Sequence, residues 1–218
     1  MLTFQDLRTQ VVRRLKPKFS TLSSLTVSPR YILDIGIAND SYRECKAVFP
    51  GATYHGLDVV DAGVVLEPGD RFLLRNLEEQ QALIGLEPIY DVIIVNHVLE
   101  HLEHGTDVFG RLCNMLAPSG LLYVEVPSLR TAYRAKTPGS YHFHDDPTHR
   151  SFYRLEDLAN LAIRSNCSVV SCGPTSTWLK DLLSLPRAAF GAIRGQGWGS
   201  YLLHLQRKID HILVRRVG

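Results

Sequence analysis

Residues 141–153, Tyr-His-Phe-His-Asp-Asp-Pro-Thr-His-Arg-Ser-Phe-Tyr, set three histidines (His142, His144, His149) and two acids (Asp145, Asp146) within eight residues. An imidazole near its ordinary pKa can take a proton from a hydroxyl, and neighbouring carboxylates hold the ring and favour its charged form. His144 and Asp146 also make an H-x-D pair, part of the donor set of iron sites with two histidines and one carboxylate. The same side chains can equally pair among themselves in a structural loop. Upstream, His97, Glu100 and His101 spell H-x-x-E-H, a spacing that some zinc metalloenzymes use. On a helix His97 and His101 would share a face. Residue 97, however, follows a strand-like run, which works against that helix, and no metal ion is expected.

A second constellation lies near the start of the chain. A hydrophobic run, Tyr31 to Ile35, carries one acid, Asp34, and enters a glycine, Gly36. A second run, Ala52 to Leu57, ends in Asp58, 24 residues after Asp34. A strand turning sharply into a helix offers backbone N–H groups and a positive helix end to a ligand. Glycine at the turn lets that ligand approach the backbone. An acid at the tip of the next strand can accept hydrogen bonds from a ribose. The spacing fits one strand-helix-strand unit and points to a nucleoside-containing cofactor.

These residues need a scaffold, and the hydrophobic pattern supplies one. Strands are expected at 31–35, 52–57, 71–74, 89–95, 120–126 and 167–172, with helices at 40–48, 78–84, 105–116 and 154–165. Such alternation predicts an α/β fold, Rossmann-like and doubly wound, with a mainly parallel sheet and helices on both faces. It also argues against the β-barrel scaffold of the two-histidine iron enzymes. Asp34, Gly36, Asp58, Asn76 and Asn96 all fall at carboxyl ends of strands, where ligands of such sheets bind. Residues 4–16 are expected as a short helix and 17–30, with two prolines and many serines and threonines, as a linker. Residues 177–218 are expected as one or two amphipathic helices.

Leu-Asp-Ile-Gly-Ile-Ala-Asn-Asp, residues 33–40, resembles the first motif of class I S-adenosylmethionine-dependent methyltransferases, usually LD-x-G-x-G-x-G. Only Gly36 of the three glycines stands; Ala38 and Asp40 occupy the later two positions, and Asp40 is a candidate cap for the next helix. Tyr-Asp-Val-Ile-Ile-Val-Asn-His-Val-Leu-Glu-His-Leu, residues 90–102, carries the V-L-E-H-L segment common in small-molecule members, and Leu116 to Pro127 resembles their turn and fifth strand. Asp146-Pro-Thr-His149 resembles a D-x-T-H segment of methyltransferases in sugar and polysaccharide pathways. The resemblance covers about residues 31–172. It implies S-adenosylmethionine as cofactor, with Asp34 and Gly36 at its methionine end, joined there by Asn96 and His97. It implies Asp58 at the ribose, Asn76 and Leu77 at the adenine, and His144 or His149, with His101 as substitute, as the base for a hydroxyl acceptor, most simply a sugar or glycan precursor. Asn76 also suits a helix cap. Two rival readings stand beside it: a silent cofactor-binding protein that lost the glycine-rich turn, and a nucleotide-dependent oxidoreductase built on the same turn.

The chain has 218 residues and 45% apolar content, enough for one α/β domain with a real core. It divides into a basic helix and linker (1–30), the methyltransferase-like domain (31–176) and a basic extension (177–218). The net charge of +2 conceals an asymmetry: residues 1–30 and 179–218 each carry +5, and residues 31–178 carry −8. Those basic ends can pack on the acidic domain, on a second subunit or on an anionic surface. From Trp198 to Val217, the residues Tyr201, Leu202, Leu205, Ile209, Ile212 and Leu213 would share a side of a helix, a pattern suited to peripheral membrane contact or self-association. No nucleic-acid-binding motif is present. Four cysteines without a CxxC pair are too few and too irregular for a disulfide scaffold, and a reducing, cytoplasmic compartment is expected.

Overall fold

The computed structural model describes residues 9–13, 16–26, 28–37, 40–61, 63–86, 89–133, 142–175 and 209–218. The apolar runs at Tyr31–Ile35 (β1), Thr53–Asp58 (β2), Arg71–Leu74 (β3), Tyr90–Asn96 (β4), Leu116–Pro127 (β5), Cys167–Pro174 (β6) and Ile209–Arg216 (β7) pair into one seven-stranded sheet, ordered β3-β2-β1-β4-β5-β7-β6. The first five are mutually parallel; β7 runs antiparallel between β5 and β6. Strands β1 and β4 are buried almost throughout, as expected of parallel strands covered on both faces.

Successive residues feed two cores. Leu33, Ile35, Ile93, Val95, Leu122 and Ile212 face one side, where they meet Phe109 and Leu112 of α3 (Gly105–Asn114) and Leu158 and Ala162 of α5 (Leu155–Arg164). Ile32, Val92, Ile94, Tyr123 and Leu213 face the other, against Phe19 and Leu22 of α1 (Pro17–Leu25) and Tyr42, Cys45 and Val48 of α2 (Ser41–Val48). A four-residue helix, α4 (Arg130–Tyr133), follows β5. The doubly wound α/β expectation is met.

Several expectations are corrected. Residues 17–25 are a helix rather than a linker: Pro17 opens it, where its missing N–H is no loss, and Phe19 and Leu22 are fully buried. Its serines and threonines do not break it; Ser24 Oγ donates to the Thr21 carbonyl at 2.7 Å. Of the expected helix at 4–16, residues 9–13 are helical, and 1–8 and 14–15 lie outside the described residues. The helix expected at 78–84 is a short 3-10 turn, Gln80–Leu83. Strand β5 begins at Leu116 because the Pro118–Gly120 turn is absorbed as a bulge, with Ser119 at φ +64°. Asp40 precedes α2 but makes no cap hydrogen bond.

The largest correction concerns the C-terminal segment. Residues 176–208 fall outside the described residues, but Ile209–Arg216 is a strand, not a helix. Its backbone pairs on both edges, and Ile212 and Leu213 are fully buried on opposite faces. These two residues therefore do not form a membrane-facing stripe. No helix among the described residues is long and apolar enough to cross a membrane.

Candidate functional site

Strand order reverses between β1 and β4, and the chain leaves both strands toward the same crevice. Two cavities meet there. One of about 530 Å³ is walled by Gly36, Asp58, Asn76, Leu77, Asn96 and His97, with His101 and Arg150 on the same wall. The other, about 470 Å³, shares Gly36, Asn96 and His97 and extends to Lys18, Ser41 and Glu125. Gly36 sits at the junction with φ +75°, a left-handed conformation that favours glycine, and a Cβ there would collide with the Val98 side chain. The turn is compatible with only the smallest residue.

Asp58 ends β2, and its Oδ1 accepts the Val60 N–H at 3.1 Å, which orients the carboxylate at the cavity. Asn76 Oδ1 accepts the Glu78 N–H at 3.0 Å, a turn-capping bond, while the residue still lines the cavity beside buried Leu77. The capping reading of Asn76 is thus observed, and its position on the cavity lining leaves the adenine contact open to it. Asn96 Oδ1 is buried with no hydrogen-bond partner among the described residues. An unpaired buried acceptor is costly, so a donor on a bound ligand would relieve it.

Asp34 does not line either cavity. It is fully buried beneath the turn, and its Oδ2 accepts hydrogen bonds from Ser41 Oγ at 2.5 Å and Tyr54 Oη at 2.8 Å. Burial raises its pKa, against the opposing charge of Lys18 and those two hydrogen bonds. Asp34 thus ties β1 to α2 and β2 from below; direct contact with a ligand is not its observed role. Lys18, absent from the sequence-based set, is what α1 delivers instead: it is 7% exposed and lines the second cavity. Its sole sequence signal was Pro17, which opens that helix.

The histidines separate clearly. His97 caps β4 in a left-handed conformation, φ +52°, and its Nδ1 lies 3.0 Å from Glu100 Oε1. Burial alone would lower its pKa, but the hydrogen bond and charge of Glu100, with Glu125 beyond, raise it above the ordinary value. A 3-10 turn, Leu99–His101, follows, so His97 and His101 do not share a helical face, in keeping with the doubt that the strand-like run before residue 97 cast on the H-x-x-E-H zinc reading. His101 reaches the cavity wall, with its ring 4.8 Å from that of His149. His149 sits behind it, its Nδ1 bonded to the Phe143 carbonyl at 2.7 Å. His144 is exposed, packs edge-on against Phe143 and Phe152, and lines neither cavity. The His144–Asp146 pair accordingly forms no iron-type donor set. The fold brings His101 to the cavity wall with His149 packed behind it, and leaves His144 exposed and apart from both.

The loop carrying His149 is fixed to the cavity by backbone bonds: the Arg150 and Ser151 N–H groups donate to the Glu100 carbonyl at 2.7 and 3.1 Å. That joins the second chemistry-bearing segment of the sequence to the first.

Comparison with known proteins places the chain in a family and supports its fold. The profile of a family described as a methyltransferase domain matches residues 7–172. A curated relative, malonyl-[acyl-carrier protein] O-methyltransferase of Halalkalibacterium halodurans, is 33% identical over 102 residues, covering 43% of this chain and 38% of the relative. The chain thus matches well under half the length of that relative. Among solved structures, an S-adenosylmethionine-dependent methyltransferase from Archaeoglobus fulgidus superposes with a TM-score of 0.62 at 18% identity, covering 96% of this chain and 94% of that one. Phosphoethanolamine N-methyltransferase 2 of Haemonchus contortus, in complex with S-adenosyl-L-methionine, does so with a TM-score of 0.65 at 13% identity, covering 99% and 59%. At such identities these neighbours speak to the fold.

Proposed function

The chain belongs to the methyltransferase domain family, with S-adenosylmethionine as its cofactor, and we propose that it transfers the cofactor's methyl group to a hydroxyl oxygen of a small acceptor, a sugar or glycan precursor being the class its D-x-T-H segment favours. The observation that carries this reading is one cavity wall shared by Asp58, Asn76, Asn96 and His101. Asp58 would accept from the ribose hydroxyls, and the Asn76 amide nitrogen would donate to the adenine edge over Leu77. The orphaned Asn96 Oδ1 would take an N–H of the methionine amino group, and Lys18 would pair with its carboxylate.

The reaction is a direct displacement. The acceptor oxygen forms a bond to the methyl carbon as the carbon–sulfur bond breaks toward sulfur, and the hydroxyl proton is released. Because the sulfonium is already a good leaving group, the protein's work is alignment and activation of the hydroxyl. His101, on the cavity wall and backed by His149, would supply that activation. A carboxylate acceptor, as in the named curated relative, arrives ionised and needs no base. Arg150 on the same wall supports this second acceptor class.

The test is methyl transfer from isotopically labelled S-adenosylmethionine to panels of hydroxyl and carboxylate acceptors, for wild type and His101→Ala. Loss of about a hundredfold or more in the variant with a hydroxyl acceptor supports the reading. Turnover confined to carboxylates and indifferent to His101 supports the second acceptor class. Cofactor binding without turnover on any acceptor favours a silent binding protein, and displacement of S-adenosylmethionine by NAD favours an oxidoreductase.

A further inference from the structure

The second cavity ends in a carboxylate that the cofactor contacts leave unused. Glu125, near the end of β5, lines it with Lys18, Asn96 and His97, and with Thr175 and Ile209 at its far side. Glu44 in the same cavity is already paired with Lys16 at 3.0 Å. Among the described residues Glu125 has no ion-pair partner. Its Oε1 accepts the Tyr123 hydroxyl at 2.7 Å. Burial, and then the charge of Glu125, pushes the Tyr123 pKa far up, so that hydroxyl keeps its proton and donates. Tyr123 is itself fully buried, with its ring stacked on that of His211 in β7 at 5.7 Å between centroids. One carboxylate oxygen of Glu125 is thus held in place, and the other is left to accept a further donor.

Strand register sets where this group stands. With the ribose at Asp58 and the cofactor's carboxylate at Lys18, the sulfur falls between them, at the wall of Gly36, Asn96 and His97 that both cavities share. Asn96 and Glu125 are register partners on β4 and β5, and the His97 N–H donates to the Glu125 carbonyl at 3.0 Å. Neighbouring strands lie about 4.8 Å apart. Glu125 therefore stands one strand beyond the sulfur, on the side away from β1. The tail strand closes the same end: Thr175 N–H donates to the Ile209 carbonyl at 2.8 Å, and His211 is the register partner of Glu125.

We propose that Glu125 selects the acceptor: its free oxygen accepts a hydrogen bond from a second hydroxyl of the acceptor, adjacent to the hydroxyl that is methylated. The proposal rests on the methyl-transfer reading and narrows its acceptor to a sugar-class polyol with neighbouring hydroxyls. A hydroxyl donates a charge-assisted hydrogen bond to Glu125, whereas an ionised carboxylate acceptor meets it charge against charge. An acceptor without the second hydroxyl leaves the carboxylate desolvated and unpaired, which is what makes such a contact discriminate. Glu125 makes and breaks no covalent bond. Tyr123 acts through it, as the residue that positions the carboxylate.

Two measurements on wild type, Glu125→Gln and Tyr123→Phe test this. In the first, the methyl glycosides of glucose, galactose and mannose, their single-deoxy analogues and succinate are offered with labelled S-adenosylmethionine. Wild type is expected to methylate a glycoside. Glu125→Gln is expected to raise its KM by about tenfold or more with kcat little changed, and Tyr123→Phe to raise it by a smaller factor. One deoxy analogue is expected to reproduce the loss on wild type and to add nothing to it in Glu125→Gln. Unchanged KM in Glu125→Gln, or turnover of succinate alone, overturns the proposal. The second measurement needs no acceptor: calorimetry compares S-adenosylhomocysteine with sinefungin, a cofactor analogue that carries an amine in place of the sulfonium methyl. Glu125→Gln is expected to weaken sinefungin about tenfold relative to S-adenosylhomocysteine. An unchanged ratio, with S-adenosylhomocysteine still bound, overturns the role of Glu125 alone. Failure of wild type to bind S-adenosylhomocysteine overturns the methyl-transfer reading, and the proposal with it. Circular dichroism melting of each variant separates loss of contact from loss of fold, and Tyr123→Phe carries both comparisons if Glu125→Gln does not fold.

Discussion

Glu100 Oε1 lies 3.0 Å from His97 Nδ1, across the single turn that links the end of β4 to the histidine wall of the cofactor cavity. His97 holds a left-handed backbone, which for a residue with a Cβ costs about 1–2 kcal/mol. The buried carboxylate three residues on keeps its ring in place. The same Glu100 accepts two loop N–H groups through its carbonyl, so one residue orients both His97 and the segment bearing His149.

This pairing has a measurable titration. His97 in the folded protein is expected to titrate above its ordinary value of 6.5, and in Glu100→Gln to shift downward, as read by NMR of the imidazole resonances. Because the folded pKa is the higher one, the pair's contribution to stability is fully present below pH 6.5 and is lost as pH rises through the folded pKa. The melting-temperature deficit of Glu100→Gln is therefore expected to be larger near pH 6 than in alkaline buffer. An equal deficit at both pH values would contradict the assignment.

Lys18 supplies a second prediction. If it pairs with the cofactor's carboxylate, Lys18→Gln weakens S-adenosylhomocysteine by about tenfold, the scale of one lost charged hydrogen bond. Methylthioadenosine, which lacks the amino-acid end, should bind the variant and wild type alike. Equal weakening of both ligands would instead mean that α1 shapes the cavity as a whole.

The C-terminal strand makes a third. Leu213 is fully buried on a strand paired along both sides, so Leu213→Ala is expected to reduce unfolding free energy by about 2–5 kcal/mol in denaturant titrations. Val217, 48% exposed beyond the strand, should tolerate alanine within about 0.5 kcal/mol. Comparable small effects at both positions would fit a surface helix and contradict the strand.

What the sequence made legible was local. Tyr31–Ile35 and Arg71–Leu74 are strands at the expected residues because a short apolar run bounded by turn residues is self-sufficient evidence, and Gly36 marked the turn because its conformation excludes a side chain. What it hid depends on partners far along the chain. Asp34 looked like a ligand contact because the first-motif resemblance set it at the cofactor's methionine end, and its partners proved to be Ser41 and Tyr54. The tail's apolar spacing suited a helix, yet β5 and β6, which hold it as a strand, lie tens of residues earlier. His149 could not be chosen over His144 because the contacts that distinguish them run from its own loop to His101, 48 residues away.

The central claim is that the crevice formed by β1, β2 and β4 binds S-adenosylmethionine. Calorimetric titration of the purified protein with S-adenosylmethionine and S-adenosylhomocysteine, repeated with Asp58→Ala, tests it most directly. The account predicts saturable binding of both ligands with a dissociation constant on the order of micromolar, weakened about tenfold or more when the ribose-facing carboxylate is removed. Absence of binding to wild type, or identical affinities with and without the Asp58 carboxylate, would contradict it.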